Sequence, residues 1–320
     1  MRTAYRTEYG PPEVLSVREL PKPTVAPGEV LIRVRAASVN RTDSGILRGK
    51  PWVFRFFCGL WRPKFVATGS DFAGDVEAVG AGVTRFSPGD RVWGFDDNSL
   101  GSHAEYMTFH EDNAILTLPE GLTYEEAVAC TEGAHYAINF INKVSLRAGQ
   151  TALVNGGTGA IGSAAIQLLK HHGVAVTAVC AAEHFGLVES LGASRVIDYQ
   201  TDDFTRHPAS YDLVFDAVGK STFGQCKPLL AERGVYISSE LGPGGQNLLL
   251  AAVTPLLGGK RVRFPIPLDP KGSLTLIKCL VEQKEFRPVI DRRFPLEQIQ
   301  EAFRYVESGQ KIGNVILTLD

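Results

Sequence analysis

Cysteine is scarce and scattered in this chain of 320 residues. The five cysteines are odd in number and never stand in C-x-x-C spacing. This pattern argues against a disulfide framework or a zinc knot and favours reduced thiols in a cytosolic protein. Internal repeats and low-complexity tracts are also missing, and the hydrophobic share of 44% is ordinary for a globular chain. We therefore expect a cytoplasmic protein with two domains, since the chain is long for one core.

Charge bias and long apolar runs are lacking as well. The formal net charge is −2, so the whole molecule has no electrostatic preference for nucleic acid or anionic lipid, and neither is expected as a partner. Arg2, Arg6 and Glu8 interrupt any apolar run at the start, which predicts no signal peptide. The most apolar stretch, residues 248–257, is too short to span a bilayer and contains Pro255.

The first third of the chain has the pattern of a β-rich domain. Residues 29–36 alternate, with Val30, Ile32 and Val34 on one face. Glycines recur between residues 71 and 83, as expected of strands that bend around a small barrel.

From about residue 125 the pattern becomes an alternation of strands and helices, which predicts a parallel sheet with helices on both faces. The strand candidates are 151–155, 174–180, 195–198, 212–216 and 234–239, and the helix candidates are 160–172, 183–191 and 222–231. After residue 262 come a proline-rich loop, amphipathic helices near 272–284 and 296–308, and a last strand, 315–319. We predict a first domain at 1–124, a nucleotide-binding domain at 125–262, and a return segment at 263–320 that completes the first domain.

The most informative run is TALVNGGTGAIG at residues 151–162. Gly157, Gly159 and Gly162 fit G-x-G-x-x-G between a strand and a helix. We expect Gly157 to permit the tight turn, Gly159 to admit a pyrophosphate, and Gly162 to let the helix pack on its strand. The first helical amides and the helix dipole would then hold the phosphate charge.

The order of motifs along nearly the whole chain resembles the medium-chain dehydrogenase/reductase superfamily, in its zinc-independent quinone oxidoreductase-like branch. The motifs are YGPPEVL at 9–15, PGEVL at 27–31, AASVNRTD at 36–43, GSDFAG at 69–74, VGAGV at 79–83, FSPGDRV at 86–92, the glycine run, LGA at 191–193, VIDY at 196–199 and FDAVG at 215–219.

The resemblance implies an α/β fold: a GroES-like β-barrel catalytic domain plus a Rossmann domain with a doubly wound parallel sheet. It also implies a nicotinamide cofactor in the cleft between the domains, and a homodimer. The cofactor contacts it implies are Gly157, Thr158, Gly159, Ala160, Ile161, Gly162, Ala181, His184, Tyr199, Val218, Gly219, Leu241 and Asn314.

Metal ligands are missing where zinc-dependent members of this superfamily have them. Asn40 replaces a cysteine and Ser70 replaces a histidine, and neither is a competent ligand for tetrahedral zinc. The four-cysteine lobe of the family is absent too, so we predict no zinc. Glu132, His135, His103 and His110 are left as candidates for a different metal site, or as ordinary polar residues.

The sequence distinguishes less clearly between NADP(H) and NAD(H) as the cofactor. The second strand of the nucleotide domain ends without the acidic residue that grips the ribose hydroxyls of NAD, and the first acid is Glu183. NADP(H) is therefore favoured over NAD(H), although relatives that prefer NADP often carry a serine and a cation near residues 181–184. His184 is the nearest candidate cation here, or an ordinary exposed histidine.

Without a metal, reduction of a conjugated enone or quinone is easier than oxidation of an alcohol, because hydrogen-bond donors suffice to hold the developing negative charge. We therefore expect an NADP(H)-dependent reductase of quinones or α,β-unsaturated carbonyls. The catalytic candidates are Asn40 as the carbonyl donor or orienter, and His135 and Tyr136 in the segment that flanks the nicotinamide in relatives. His135 donates a proton or simply packs. The alternatives are a nucleotide-binding relative without turnover and a metal-free alcohol dehydrogenase.

One further segment, residues 50–64, is unusually rich in aromatic and basic residues. Residues 50–64 interleave Trp52, Phe54, Phe56, Phe57 and Trp61 with arginines. The segment fits a wall of the substrate cleft, a loop packed on its own barrel, a membrane-surface loop or a platform for single-stranded nucleic acid.

Overall fold

The structure, a computed structural model, describes residues 1–52, 54–96 and 101–319. It divides into two units: Met1–Glu132 with Asp269–Asp320, and Gly133–Leu268. Both divisions lie slightly later in the chain than the predicted boundaries after residues 124 and 262. No helix in the described ranges is long and apolar enough to cross a membrane.

The strands of the described chain are β1 (Arg2–Tyr5), β2 (Ser16–Glu19), β3 (Glu29–Val39), β4 (Asp71–Val79), β5 (Arg91–Phe95), β6 (Tyr106–His110), β7 (Ile115–Thr117), β8 (Thr151–Asn155), β9 (Ala175–Cys180), β10 (Ala193–Asp198), β11 (Tyr211–Asp216), β12 (Leu230–Ser238), β13 (Arg261–Arg263), β14 (Ile290–Pro295) and β15 (Asn314–Thr318). The α-helices are α1 (Arg41–Arg48), α2 (Phe54–Cys58), α3 (Tyr124–Ala129), α4 (Glu132–Ile141), α5 (Ala160–His171), α6 (Phe185–Leu191), α7 (Phe223–Cys226), α8 (Gln246–Leu257), α9 (Pro270–Glu282) and α10 (Ile299–Glu307).

The first unit is built on a mixed sheet with strand order β14-β15-β3-β4-β5-β7, and β6 also pairs with β3. All of these pairs are antiparallel except β14 with β15. The predicted inward face of β3 is confirmed, because Val30, Ile32 and Val34 are at most 1% exposed. The return segment contributes α10, whose buried face includes Phe303 and joins the same core cluster.

The second unit contains a six-stranded sheet, ordered β10-β9-β8-β11-β12-β13, in which every pair is parallel. Numbered within the unit, this order is 3-2-1-4-5-6, the classic Rossmann arrangement. The strand order reverses between β8 and β11, so the loops after these two strands open at the place where such sheets bind ligands.

Several predicted elements of this unit are confirmed, and others need correction. The strand at 151–155 is present as predicted, and the helix predicted at 160–172 is α5. The helix predicted at 222–231 is wrong at its end, because α7 stops at Cys226 and the chain is already in β12 by Leu230. Helix α8 and the edge strand β13 were not predicted.

Candidate functional site

The glycine run forms a tight connection between β8 and α5. The amides of Gly156 and Gly157 both donate to Val179 O, each at 3.1 Å, which ties the turn to the end of β9. The left-handed residue is Gly156, with φ of 80°. The expectation that Gly157 makes the turn is therefore corrected: a Cβ at Gly157 would lie 3.1 Å from Ala178 Cβ and Ile166 Cδ1, so this glycine serves close packing.

Gly159 and Gly162 face different surroundings. A Cβ at Gly162 would lie 2.1 Å from Gly156 O, so only glycine lets α5 approach the turn this closely. A Cβ at Gly159 would meet only Gly156 O, at 3.6 Å, so the backbone there is open to an incoming group. Gly159 is also the N-cap of α5 and has no side chain to occupy the amides of Ile161 and Gly162. This open helix start with its positive dipole end fits the pyrophosphate of a dinucleotide.

A second loop, after β11, lies beside the glycine turn because β8 and β11 are paired neighbours. The buried Asp216 carboxylate organises it: it accepts hydrogen bonds from Asn155 Nδ2 at 3.0 Å, Ser221 N at 2.9 Å and Ser221 Oγ at 2.8 Å. Val218 N also donates to it at 3.4 Å. Gly219 adopts φ of 64°, and a Cβ there would lie 2.0 Å from a Glu240 side-chain carbon. The predicted contacts Val218 and Gly219 therefore lie on a loop whose backbone is held by hydrogen bonds to the Asp216 side chain.

The candidate adenosine end lies after β9 and β10. Ala181 is buried, whereas Tyr199 is 59% exposed and offers a ring face to a ligand. His184 Nε2 lies 3.3 Å from Glu183 Oε1. A carboxylate beside the candidate cation would weaken its attraction for a 2′-phosphate, so the predicted preference for NADP(H) rests on the missing acid rather than on a strong cation.

The remaining cofactor candidates are already engaged in the fold. Leu241 O accepts from Asn247 N at 3.0 Å. Asn314 is buried, and its Nδ2 donates to Ala129 O at 2.9 Å and to Val289 O at 3.0 Å. Because both of its amide hydrogens are committed, Asn314 has only Oδ1 to offer a cofactor, and its assignment stays a prediction.

Asn40 lies in a buried polar cluster of the first unit. It is the N-cap of α1, and its backbone N–H donates to Asp43 Oδ2 at 2.8 Å. Its Nδ2 donates to Ser38 Oγ. Ser38 in turn donates to both oxygens of Asp71, from N at 2.7 Å and from Oγ at 2.5 Å. One amide hydrogen of Asn40 thus fixes the side chain against Ser38, and the amide carries a second hydrogen.

Asp71 and His103 are buried on either side of Ser38, and burial moves the pKa of each away from its usual value. Desolvation raises the pKa of Asp71 to about 6, against the opposing effect of the hydrogen bonds from Ser38. Desolvation lowers the pKa of His103 to about 4, so this imidazole is neutral near pH 7. His103 Nε2 lies 2.8 Å from Ser38 O, which can only accept, so Nε2 carries the proton and Nδ1 accepts from Thr68 Oγ1 at 2.8 Å.

His135 and Tyr136 lie on α4. The His135 side chain is 2% exposed, and its ring centroid lies 5.7 Å from that of Tyr136 in an edge-on arrangement. Asn139 Nδ2 donates to His135 O at 2.9 Å and lies 3.5 Å from both ring nitrogens, while Asn139 Oδ1 accepts from Leu268 N at 3.0 Å. This packing holds the imidazole in place and is compatible with either a packing or a proton-donating role.

One family model, described as the alcohol dehydrogenase GroES-like domain, matches residues 26–120, and another, described as zinc-binding dehydrogenase, matches residues 191–317. A 2-methylene-furan-3-one reductase of Solanum lycopersicum is 31% identical, over 97% of this chain and 77% of that protein. The chain belongs to the medium-chain dehydrogenase/reductase superfamily. It falls in the quinone oxidoreductase-like branch, as the resemblance implied.

Two further members of this superfamily show how widely the likeness extends. A chloroplastic NADPH-dependent alkenal/one oxidoreductase of Arabidopsis thaliana is 30% identical over 99% of this chain and 79% of its own length. The solved structure of a quinone oxidoreductase from Coxiella burnetii has a TM-score of 0.89 and 26% identity, and the alignment covers 100% of this chain and 99% of that one. The predicted fold class, a GroES-like domain with a Rossmann domain, is confirmed.

Asn40 and Ser70, which stand where zinc-dependent members of the superfamily have metal ligands, are both buried in the first unit. Asn40 is engaged with Ser38, and Ser70 is buried with an Oγ that has no hydrogen-bond partner in the described residues. His103 uses both ring nitrogens within the polar cluster, and His110 lies exposed beside Asp112. Within the described residues no group of three or more His, Cys, Asp or Glu side chains could hold a metal ion. The absence of zinc remains a prediction that rests on the ligand types.

The sequence did not predict which residues meet to support the candidate site. Ser38, Asp71 and His103 stand far apart in the chain and meet only because β3 pairs with β4 and with β6, the strand that follows His103. Asn155 and Asp216 meet at the ends of two parallel strands. The sequence signals were that Ser38, Asp71, Asn155 and Asp216 fall inside family motifs and that His103 was a candidate metal ligand, and none of these reveals their partners.

Proposed function

We propose that this chain is a zinc-independent, NADPH-dependent reductase of quinones or α,β-unsaturated carbonyls. The observation that carries the proposal is the open backbone at Gly159 at the start of α5, where the strand order of a parallel sheet reverses. The names of the tomato, Arabidopsis and Coxiella relatives supply the substrate class. A homodimer and a cytosolic location follow from the resemblance and the cysteine pattern, respectively, and are part of the same proposal.

A bound nicotinamide cofactor would supply a hydride for the conjugated carbon or the quinone ring. Thr158, Gly159, Ala160 and Ile161 would hold its pyrophosphate through backbone amides. Val218 and Gly219 would line the neighbouring loop, on the support of Asp216. Asn40 would donate its second amide hydrogen to the substrate oxygen, where negative charge develops.

The direct test is consumption of NADPH with a small panel of quinones and enals. We expect turnover with at least one substrate of the panel, lower turnover with NADH in place of NADPH, and full activity after treatment with a strong chelator. Tight NADPH binding without turnover on the whole panel would favour a binding protein. Activity that a chelator abolishes and added Zn²⁺ restores would contradict the metal-free chemistry.

We also propose that His135 protonates the reduced substrate, and substitution tests this directly. His135→Ala and His135→Gln should both lower kcat about 100-fold, since a positioned general acid contributes at least that much. The Kd for NADPH should change little, because the substitution leaves the glycine turn untouched. The glutamine variant fills most of the space and controls for the cavity. If both variants keep wild-type kcat, His135 only packs, and the proton comes from elsewhere.

A further inference from the structure

The segment at residues 50–66 exposes large apolar side chains to solvent. Trp61 is 88% exposed, Phe56 60%, Trp52 59% and Leu60 47%. We call these four residues the aromatic face. Val53 and the side chains of Phe54 and Phe57 lie outside the described residues. Because single exposed apolar residues are common but a run of four within ten positions is not, this face calls for a partner.

The charged residues within the stretch of sequence that contains the aromatic face are all basic, although one of them, Arg48, is paired with Glu307. Between Asp43 and Asp71 the sequence contains no acidic residue but five basic ones, although the chain as a whole has a net charge of −2. Lys50, Arg62 and Lys64 are exposed. The electrostatic balance of the whole molecule, which predicted no anionic partner, therefore does not describe this segment.

The aromatic face is held in place rather than left as a loose loop. Tyr9 Oη donates to Gly59 O at 2.6 Å, and Lys64 N donates to Cys58 O at 2.6 Å. The Arg55 guanidinium stacks over the Tyr9 ring at 4.7 Å. The two contacts with Tyr9 tie the segment to the start of the chain, and the bond between Lys64 and Cys58 closes the segment on itself, which lowers the entropic cost of binding through it.

We propose that the aromatic face docks this protein on the surface of an anionic phospholipid bilayer. Tryptophan is favoured at the boundary between headgroups and acyl chains, and neighbouring lysines and arginines gain from the negative surface potential. Leu60 and Val66, which is 39% exposed, suit acyl chains but cannot stack on bases. A bilayer therefore fits the set of side chains better than single-stranded nucleic acid does. This inference does not depend on the reductase activity.

Co-sedimentation of the full chain with vesicles tests the proposal. We expect binding to vesicles of phosphatidylcholine and phosphatidylserine in equal parts, weak binding to phosphatidylcholine alone, and a blue shift of tryptophan fluorescence on the mixed vesicles. Leu60→Ser with Trp61→Ser should weaken binding on the order of 100-fold, from the apolar surface lost. Arg62→Glu with Lys64→Glu should weaken it at least ~25-fold, from the charge reversed.

The matched control is Leu256→Ser with Leu257→Ser, which removes two leucines that are 85% and 75% exposed in the other unit. This control should keep wild-type vesicle binding, and all variants should keep the wild-type thermal midpoint because every substituted side chain is exposed. Equal binding of wild type and the Trp61 variant, or no binding to mixed vesicles, would overturn the proposal. Binding to a polyuridine oligonucleotide but not to vesicles, lost in the same variants, would overturn it in favour of nucleic acid.

Discussion

Gly159→Val should weaken NADPH binding strongly and leave the fold intact. The backbone at Gly159 has φ of −69° and ψ of 169°, which valine adopts without strain. Its Cβ would meet only Gly156 O, at 3.6 Å, in the free protein. The side chain would instead fill the space through which the cofactor phosphates approach α5. We expect at least a ~100-fold rise in Kd, equivalent to about 2.7 kcal/mol.

The measurement is NADPH titration by calorimetry, together with the thermal midpoint without cofactor. Gly162→Ala is the contrasting variant, because its Cβ would lie 2.1 Å from Gly156 O and would push α5 off the turn. That variant should lose about 3 kcal/mol of stability, whereas the Gly159 variant should keep its midpoint. Wild-type NADPH affinity in a folded Gly159→Val protein would show that the cofactor is not held at this turn.

Asp71→Asn removes a pH dependence of stability that belongs to a buried carboxyl. Burial raises the pKa of Asp71 to about 6 in the folded state, from 3.8. Its contribution to stability is therefore fully present below pH 3.8 and is lost as pH rises through 6, a total of about 3 kcal/mol. About 2 kcal/mol of this loss falls between pH 4.5 and pH 7.

The measurement is urea unfolding of wild type and variant at several pH values. From pH 4.5 to pH 7 the wild type should lose about 2 kcal/mol of unfolding free energy relative to the variant. All other titrating groups cancel in this difference. Asp71→Ala is the second variant, and it should be less stable at every pH because it leaves the buried Ser38 N–H and hydroxyl without an acceptor. A pH-independent difference for Asp71→Asn would mean that Asp71 titrates normally.

The parts of the fold that were predicted correctly are those with strong local periodicity. Strand β3 alternates, and α5 and α10 bury residues at helical spacing, so each pattern identifies its own element. Helix α8 could not be predicted, because its apolar residues have little helical periodicity and Pro255 lies within it. Edge strand β13 is too short to give a pattern of its own.

In the candidate site too, some parts could be predicted from the sequence and others could not. The glycine turn was predictable because its chemistry is carried by consecutive backbone atoms, although the left-handed residue proved to be Gly156. The cluster around Ser38, Asp71 and His103 could not be predicted, since it depends on strand register. The sequence likewise could not show that Asn314 donates both amide hydrogens to main-chain carbonyls.

The position of Asn40 at the start of α1 has a consequence for engineering the enzyme. The residue that we propose to touch the substrate is also the one that begins a helix and closes a buried hydrogen-bond chain to Asp71. A library that varies Asn40 to change substrate preference would at the same time alter the yield of properly folded protein. Selections on this position should therefore be normalised to soluble expression before any gain or loss is read as specificity.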